Sequence, residues 1–225
     1  MLESFGEGIW TAEGPVVDFY GAPYPTRMAV VRLADGSLFV WSPVALNDAL
    51  RAEVDGLGPV AHLVSPNKIH HLFLGEWKKA YPQARLYASP GLARRRPDLA
   101  FDAELPAAWG DEIEAVPFAG SFVMTEIVFL HRASRTVLFA DLIEHFPPDW
   151  FKGWRGALAR LDGIVAPNCG APREWRATFW RKKAARAALA RILAFCPEKV
   201  VVAHGRMVKT DGTAFVRAAF RWLNR

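Results

Sequence analysis

Four short apolar runs in this chain each stop on residues that carry chemistry. Ala61 to Val64 leads into Ser65-Pro66-Asn67-Lys68 and then His70-His71. Thr136 to Ala140 runs straight into Asp141, Gly163 to Pro167 into Asn168, and Lys199 to Ala203 into His204-Gly205. Runs of this length rich in Val, Ile, Leu and Phe read as buried strands. In sheets flanked by helices, ligands collect at the carboxyl ends of strands, where the loops gather side chains along one edge. The sequence therefore predicts several strands whose ends bring imidazoles and a carboxylate towards one place.

The remaining pattern supports such a framework. Arg27 to Leu33 and Ser37 to Ser42 flank Asp35-Gly36, a hairpin-turn pair. Leu46 to Val54 has helical spacing, Val60 to Ser65 reads as a strand, and His70 to Tyr81 reads as a helix stopped by Pro82. Ile113 to Phe118, Thr125 to His131 and Thr136 to Ala140 are β-rich. Helices are predicted over Asp149–Leu161, Thr178–Phe195 and Thr213–Leu223, with strands at Gly163–Ala166 and Lys199–Ala203. Strands first, then strands linked by helices, read as an α/β or α+β domain with helices packed on sheets. No repeat and no Gly/Ser/Pro-rich linker divides the 225 residues, so a single domain spanning 1–225 is expected.

Composition narrows the class. With 52% hydrophobic and 23% charged residues the chain is neither disordered nor fibrous. Its two cysteines, Cys169 and Cys196, cannot make a disulfide scaffold or a four-thiolate zinc site. No apolar run reaches the length of a membrane span, and MLESFGEGIW has acids where a signal peptide needs basic residues. The expectation is a cytoplasmic globular protein. No nucleophile elbow, phosphate-binding loop or dinucleotide fingerprint is present.

His70, His71, Asp141 and His204 supply the imidazole and carboxylate ligands that Zn²⁺, Mn²⁺ or Fe accept. Adjacent helical residues point about 100° apart. His70 and His71 can then share one ion only at a helix start. His62, inside an apolar strand, and His131, at a strand end, read as structural.

Ser65-Pro66-Asn67-Lys68-Ile69-His70-His71 follows a strand and opens a helix, and it resembles the first motif, Thr-His-x-His-x-Asp-His, of the metallo-β-lactamase fold superfamily. Asp141 and His204 resemble that family's later Asp and final His. The resemblance covers about Arg27 to Arg206 and implies an αββα four-layer sandwich. The departures are specific. Pro66 and Lys68 replace two histidines, His70 stands at the Asp position, and Pro117 to Ser121 lacks the isolated His. The resemblance thus implies loss of the first metal site and a second site made of His70, His71, Asp141 and His204. It would hold one divalent metal, zinc before manganese or iron, or none.

On this reading the protein is a hydrolase of an unidentified small molecule. Lys68 stands where a metal ligand is replaced and can stabilise negative charge on a substrate oxygen. Its bland alternative is a surface charge. His145, four residues after Asp141, is a candidate acid/base in a loop, or a loop histidine with no such role. The rival reading is a binding protein that kept the fold and lost the metal.

Residues 145–183 interleave aromatics such as Trp150, Trp154 and Trp180 with Lys and Arg, and read as a cap insertion, a lid or a homodimer surface. From Arg173 onward there are 13 Lys/Arg against 3 Asp/Glu, whereas the preceding residues have 15 against 20. Non-specific nucleic-acid binding by that basic quarter is the third reading. The basic side chains of Thr178–Phe195 spread around the helix, so any DNA binding should be electrostatic. We expect it to fall steeply between low and physiological salt in a filter-binding titration. Sequence-selective, salt-resistant binding would refute this.

Overall fold

A computed structural model describes residues 1–224. In chain order it has β1 (Glu3–Gly6), β2 (Ile9–Phe19), β3 (Ala22–Arg32), β4 (Leu38–Trp41), α1 (Asp48–Leu57), β5 (Val60–Val64), α2 (Leu74–Ala80), β6 (Arg85–Ala88), α3 (Leu92–Arg95) and β7 (Ala103–Glu104). There follow β8 (Ile113–Phe118), β9 (Glu126–His131), β10 (Thr136–Phe139), α4 (Gly153–Asp162), α5 (Arg173–Ala177), α6 (Lys182–Ala194), β11 (Lys199–Val202) and α7 (Gly212–Ala219).

Strands β1 to β7 form one sheet in sequence order, and the other is ordered β11-β10-β9-β8. β3 and β4 pair antiparallel around the Asp35-Gly36 turn, whereas β4, β5, β6 and β7 run parallel. β10 lies parallel to β11, so Asp141 and His204 leave neighbouring strands at the same sheet edge.

Period-two alternation builds the layers. Along β3, Ala29 and Val31 face the second sheet and meet a core containing Ile127, Phe129, Leu138 and Val201. Met28 and Val30 face outward into a second core with Leu50, Val54, Leu74 and Trp77 of α1 and α2. On the far side, Val128, Leu130, Val137 and Val200 pack under Ala185, Leu189 and Ile192 of α6 and Val216 of α7. Helix, sheet, sheet, helix: the architecture is an αββα sandwich.

Several local expectations shift. The helix expected from His70 begins only at Leu74, which leaves His70 and His71 in an irregular turn. Gly163–Ala166 contributes a single bridge, Val165 to Phe146, instead of a strand. The helix expected from Thr178 starts at Lys182, because Thr178 closes α5 and Phe179 bridges to Ser121. Of the long β2–β3 ribbon only the end of β3 from Arg27 was legible, because Pro15, Pro23 and Pro25 interrupt the alternation of the rest. Among the described residues no helix is long and apolar enough to cross a membrane.

His131 at the end of β9 is buried, and its Nδ1 lies 2.7 Å from the Ser134 hydroxyl. Burial pushes its pKa from the ordinary 6.5 down to about 4. A depressed histidine stabilises the fold fully above the unfolded pKa, and that contribution is lost as pH falls from 6.5 towards 4. We expect urea unfolding to show about 2–3 kcal/mol of such loss in wild type over this window. His131→Asn should remove it. Identical pH slopes in the two proteins would refute the assignment.

Candidate metal centre

The site is built around Asp141, which follows β10 and is almost fully buried. Its Oδ2 lies 3.2 Å from His70 Nε2 and its Oδ1 3.3 Å from His204 Nε2, while the two Nε2 atoms are 3.2 Å apart. Asn67 Nδ2 donates to the same carboxylate at 2.5 Å. Burial works to raise the Asp141 carboxyl. The positive charge of His70 and hydrogen bonds from His204 and His70 outweigh it and hold Asp141 below the usual carboxylate range. The converse holds for His70, where burial lowers the imidazole but Asp141 raises it further.

Both imidazoles are held from behind. His204 Nδ1 is 2.7 Å from the Pro25 carbonyl. A carbonyl only accepts, so Nδ1 donates to it and Nε2 is the nitrogen turned to the cluster. His70 Nδ1 meets the Ser42 hydroxyl at 2.9 Å, a partner that can donate or accept.

His204 is delivered by a tight crossing. The His145 N–H donates to the His204 carbonyl, and the Arg206 N–H donates to the His145 carbonyl at 2.7 Å. Gly205 lies between them at φ +99°, where a Cβ would stand 2.1 Å from the His145 oxygen, so only glycine fits. Buried Arg27 clamps the same turn by donating to the Val202 and Gly205 carbonyls.

Beneath the cluster lies Glu126, a carboxylate at the start of β9. Its Oε1 accepts from the Ala140 N–H, and its Oε2 accepts from the N–H groups of Asp141 and Leu142 and from Asn67. Burial first, then Asp141, pushes its pKa up to about 7 against the opposing pull of the backbone N–H groups. Glu144, also buried, accepts from the Tyr24 hydroxyl at 3.3 Å. Burial and the nearby Asp141 charge raise its pKa well above the carboxylate range.

The expected site residues divide. His70, Asp141 and His204 come together, with one ligand atom from each lying within 4.8 Å of the others. His71 is not brought to them: its Nε2 accepts from Arg95 at 3.1 Å and its carbonyl from Arg96 at 2.9 Å. In the turn before α2, consecutive residues diverge, so only one histidine of the pair can point inward. Burial, Arg96 and Arg95 all lower the His71 pKa.

Lys68 points away as well. Asn67 Oδ1 accepts from the Ile69 N–H at 3.0 Å in an Asx turn that takes Asn67 inward, and Lys68 Nζ donates to the Val123 carbonyl at 2.6 Å. His145 Nδ1 lies 3.0 Å from the Arg206 carbonyl, and its ring packs on Phe215. Neither Lys68 nor His145 lines the cavity above the triad. Segment 145–183 splits: Phe146, Phe151 and Val165 form a small core against Tyr24 at the cavity wall, whereas Trp175 and Phe179 join the core under α6.

Sequence reading missed Glu126, Asn67, Glu144, Ser42 and Tyr24. Glu126 had a usable signal, a lone carboxylate opening the wholly apolar run Ile127 to Leu130. Tyr24 and Ser42 had none, since their role depends on long-range contact.

Ligands about 2.0–2.1 Å from a tetrahedral zinc lie about 3.3–3.4 Å from one another. The two Nε2 atoms, 3.2 Å apart, match that spacing, and the carboxylate approaches it with a different oxygen at each imidazole, Oδ2 at 3.2 Å from His70 and Oδ1 at 3.3 Å from His204. Two imidazoles and one carboxylate with an open side therefore fit one divalent cation.

The fold is that of the metallo-β-lactamases. A metallo-β-lactamase from Pontibacter korlensis is 12% identical, with 100% of this chain and 99% of that chain covered and a TM-score of 0.65. The metallo-β-lactamase FIM-1 from Pseudomonas aeruginosa, in its mono-zinc form, is 14% identical over 100% and 96%, with a TM-score of 0.62. The metal-soaked Flv1 flavodiiron core from Synechocystis sp. PCC6803 is 12% identical over 100% of this chain and 60% of its own, at 0.63. A search of curated proteins gives no match. Within this fold the chain belongs to the family described as a domain of unknown function, DUF4336, whose profile matches residues 7–154.

Glu126→Ala should cost about 3–5 kcal/mol in urea unfolding, because it leaves several buried N–H groups without an acceptor. Glu126→Gln should cost less. Its amide oxygen can serve the Asp141, Leu142 and Asn67 donors, and only the Ala140 N–H then faces an amino group. A loss of under 1 kcal/mol in Glu126→Ala would refute this role.

Proposed function

We propose that the protein is a hydrolase that works with a single divalent metal, zinc in the first instance, held by His70, Asp141 and His204. The observation that carries this reading is the triad itself, two Nε2 atoms and a carboxylate at ligand spacing on the floor of a cavity. A bound zinc would supply a water of lowered pKa and would polarise a substrate carbonyl. The chain's residues do the remainder. The Pro25 carbonyl fixes the His204 tautomer, Ser42 orients His70, and Asn67 with Glu126 fixes Asp141. Glu144 and Tyr24 place a carboxyl and a hydroxyl on the same wall, where a proton can be passed to a leaving oxygen.

A second reading, a binding protein without metal, is favoured by one observation. Asp141 is already contacted by Asn67, His70 and His204, so protons alone can satisfy the cluster. The cap role of residues 145–165 belongs to either reading, since that segment packs on Tyr24.

Elemental analysis of untagged protein purified without chelator separates the two. The expected result is about one equivalent of zinc per chain, and none would favour the metal-free reading. In competition with a chromophoric chelator, His70→Ala, Asp141→Ala and His204→Ala should each weaken zinc at least about 100-fold, and His71→Ala should stay within about threefold. Two equivalents in wild type would refute the single-metal reading. Undiminished affinity in His204→Ala would refute the ligand assignment.

A further inference from the structure

Among the described residues, no Lys or Arg side chain lines the cavity above the triad, and its basic groups are imidazoles, with those of His70 and His204 at the floor. Its 14 lining residues also include the carboxyl groups of Asp141 and Glu144. Lys and Arg side chains of the segments around the cavity are engaged elsewhere. Lys68 is tied to the Val123 carbonyl, Arg96 is paired with Asp98, and Arg27 holds the turn at Gly205. Arg95 reaches the cavity lining only through His71.

The remaining wall is apolar. Val17 and Phe19 come from the β2–β3 ribbon, and Ile69, Leu72 and Phe73 from the turn before α2. This wall continues into solvent, where Phe19 is 41% and Leu72 58% exposed. An apolar strip running from a polar floor to the surface is suited to a hydrocarbon chain longer than the cavity is deep. A carboxylate at the far end of that chain would lie along the apolar wall, away from the imidazoles of the floor, with no Lys or Arg in the lining to pair with it.

We infer that the cavity binds an uncharged molecule with a hydrocarbon chain, and that the substrate is accordingly a neutral carboxylic ester with an apolar acyl group. The binding class rests on the walls alone, and the ester rests on the hydrolase reading above. In the reaction the oxygen of water bonds to the acyl carbon and the acyl–oxygen bond breaks. The alcohol leaves with one proton of the water, and the acid keeps the other until it ionises. The Tyr24 hydroxyl and the Glu144 carboxyl to which it donates are the wall groups through which that proton can pass from the water to the leaving oxygen.

Binding and turnover are tested separately. On metal-free protein, N-phenyl-1-naphthylamine fluorescence reports displacement by hexanamide or by the monoamide of adipic acid, which has the same chain length with a terminal carboxylate. Hexanamide should displace the probe at a concentration at least about 20-fold lower. Leu72→Arg, at an exposed position, should narrow that gap to about threefold by supplying a cation. With zinc, p-nitrophenyl hexanoate should be hydrolysed with the same preference over the p-nitrophenyl monoester of adipic acid. Equal displacement by the two amides, or displacement by neither, overturns the inference. Preferential displacement without turnover upholds the binding class and overturns the hydrolase reading.

Discussion

A carboxylate taken out of water must be repaid in hydrogen bonds and positive charge, and Asp141 sets that demand for this molecule. Each close neighbour answers it. Asn67 donates to it, the imidazoles of His70 and His204 face it, and Glu126 holds the backbone on either side of it. Glu126 is itself a buried acid, so the arrangement stacks one carboxyl on another with Asn67 bridging them. The result is directional. Asp141 becomes the more acidic group and Glu126 the less acidic one, because the imidazoles stand on the Asp141 side.

The sandwich makes that demand local. The facing sides of the two sheets meet in an apolar core of Ile9, Val31, Phe39, Phe129 and Val201, with no place for charge. Polar residues are pushed to the strand ends, and the parallel pair β10–β11 brings two of those ends side by side. The third comes from the opposite sheet, after β5, by way of the Asx turn at Asn67. The centre is therefore a contact between sheets. Arg27 of β3 ties the two together by clamping the carbonyls beyond β11.

The same logic explains what could be read in the chain beforehand. Strands β5, β10 and β11 announce themselves as short β-branched runs, and their final residues, including Asp141 and His204, follow from that pattern alone. His70 was legible as one of a pair, but which of His70 and His71 faces inward depends on where α2 begins. That is decided by Leu74 and Trp77 seating in the outer core, three residues further on. Lys68 and His145 were credible by position and are turned aside by backbone contacts that no spacing encodes, the Asx turn at Asn67 and the Gly205 crossing. Glu144 and Tyr24 are 120 residues apart, and only the path of the β2–β3 ribbon unites them.

On the single-metal reading, charge balance explains why a first site could disappear without upsetting the second. Among the carboxyls at this centre, Asp141 is the one that lies against both imidazoles and is held below the usual carboxylate range. Burial and the Asp141 charge push Glu144 and Glu126 up. One divalent ion against one carboxylate leaves a net single positive charge, suited to polarising a neutral carbonyl in an apolar cavity. Two such ions would leave three uncompensated charges in a space walled by Phe19, Ile69 and Leu72. Replacing histidines by Pro66 and Lys68 removes the ligands of that second ion, and the outward turn of Lys68 keeps its ammonium away from the first. On this reading the altered motif and the walls without Lys or Arg both suit a centre whose ligand carboxylate is Asp141 alone.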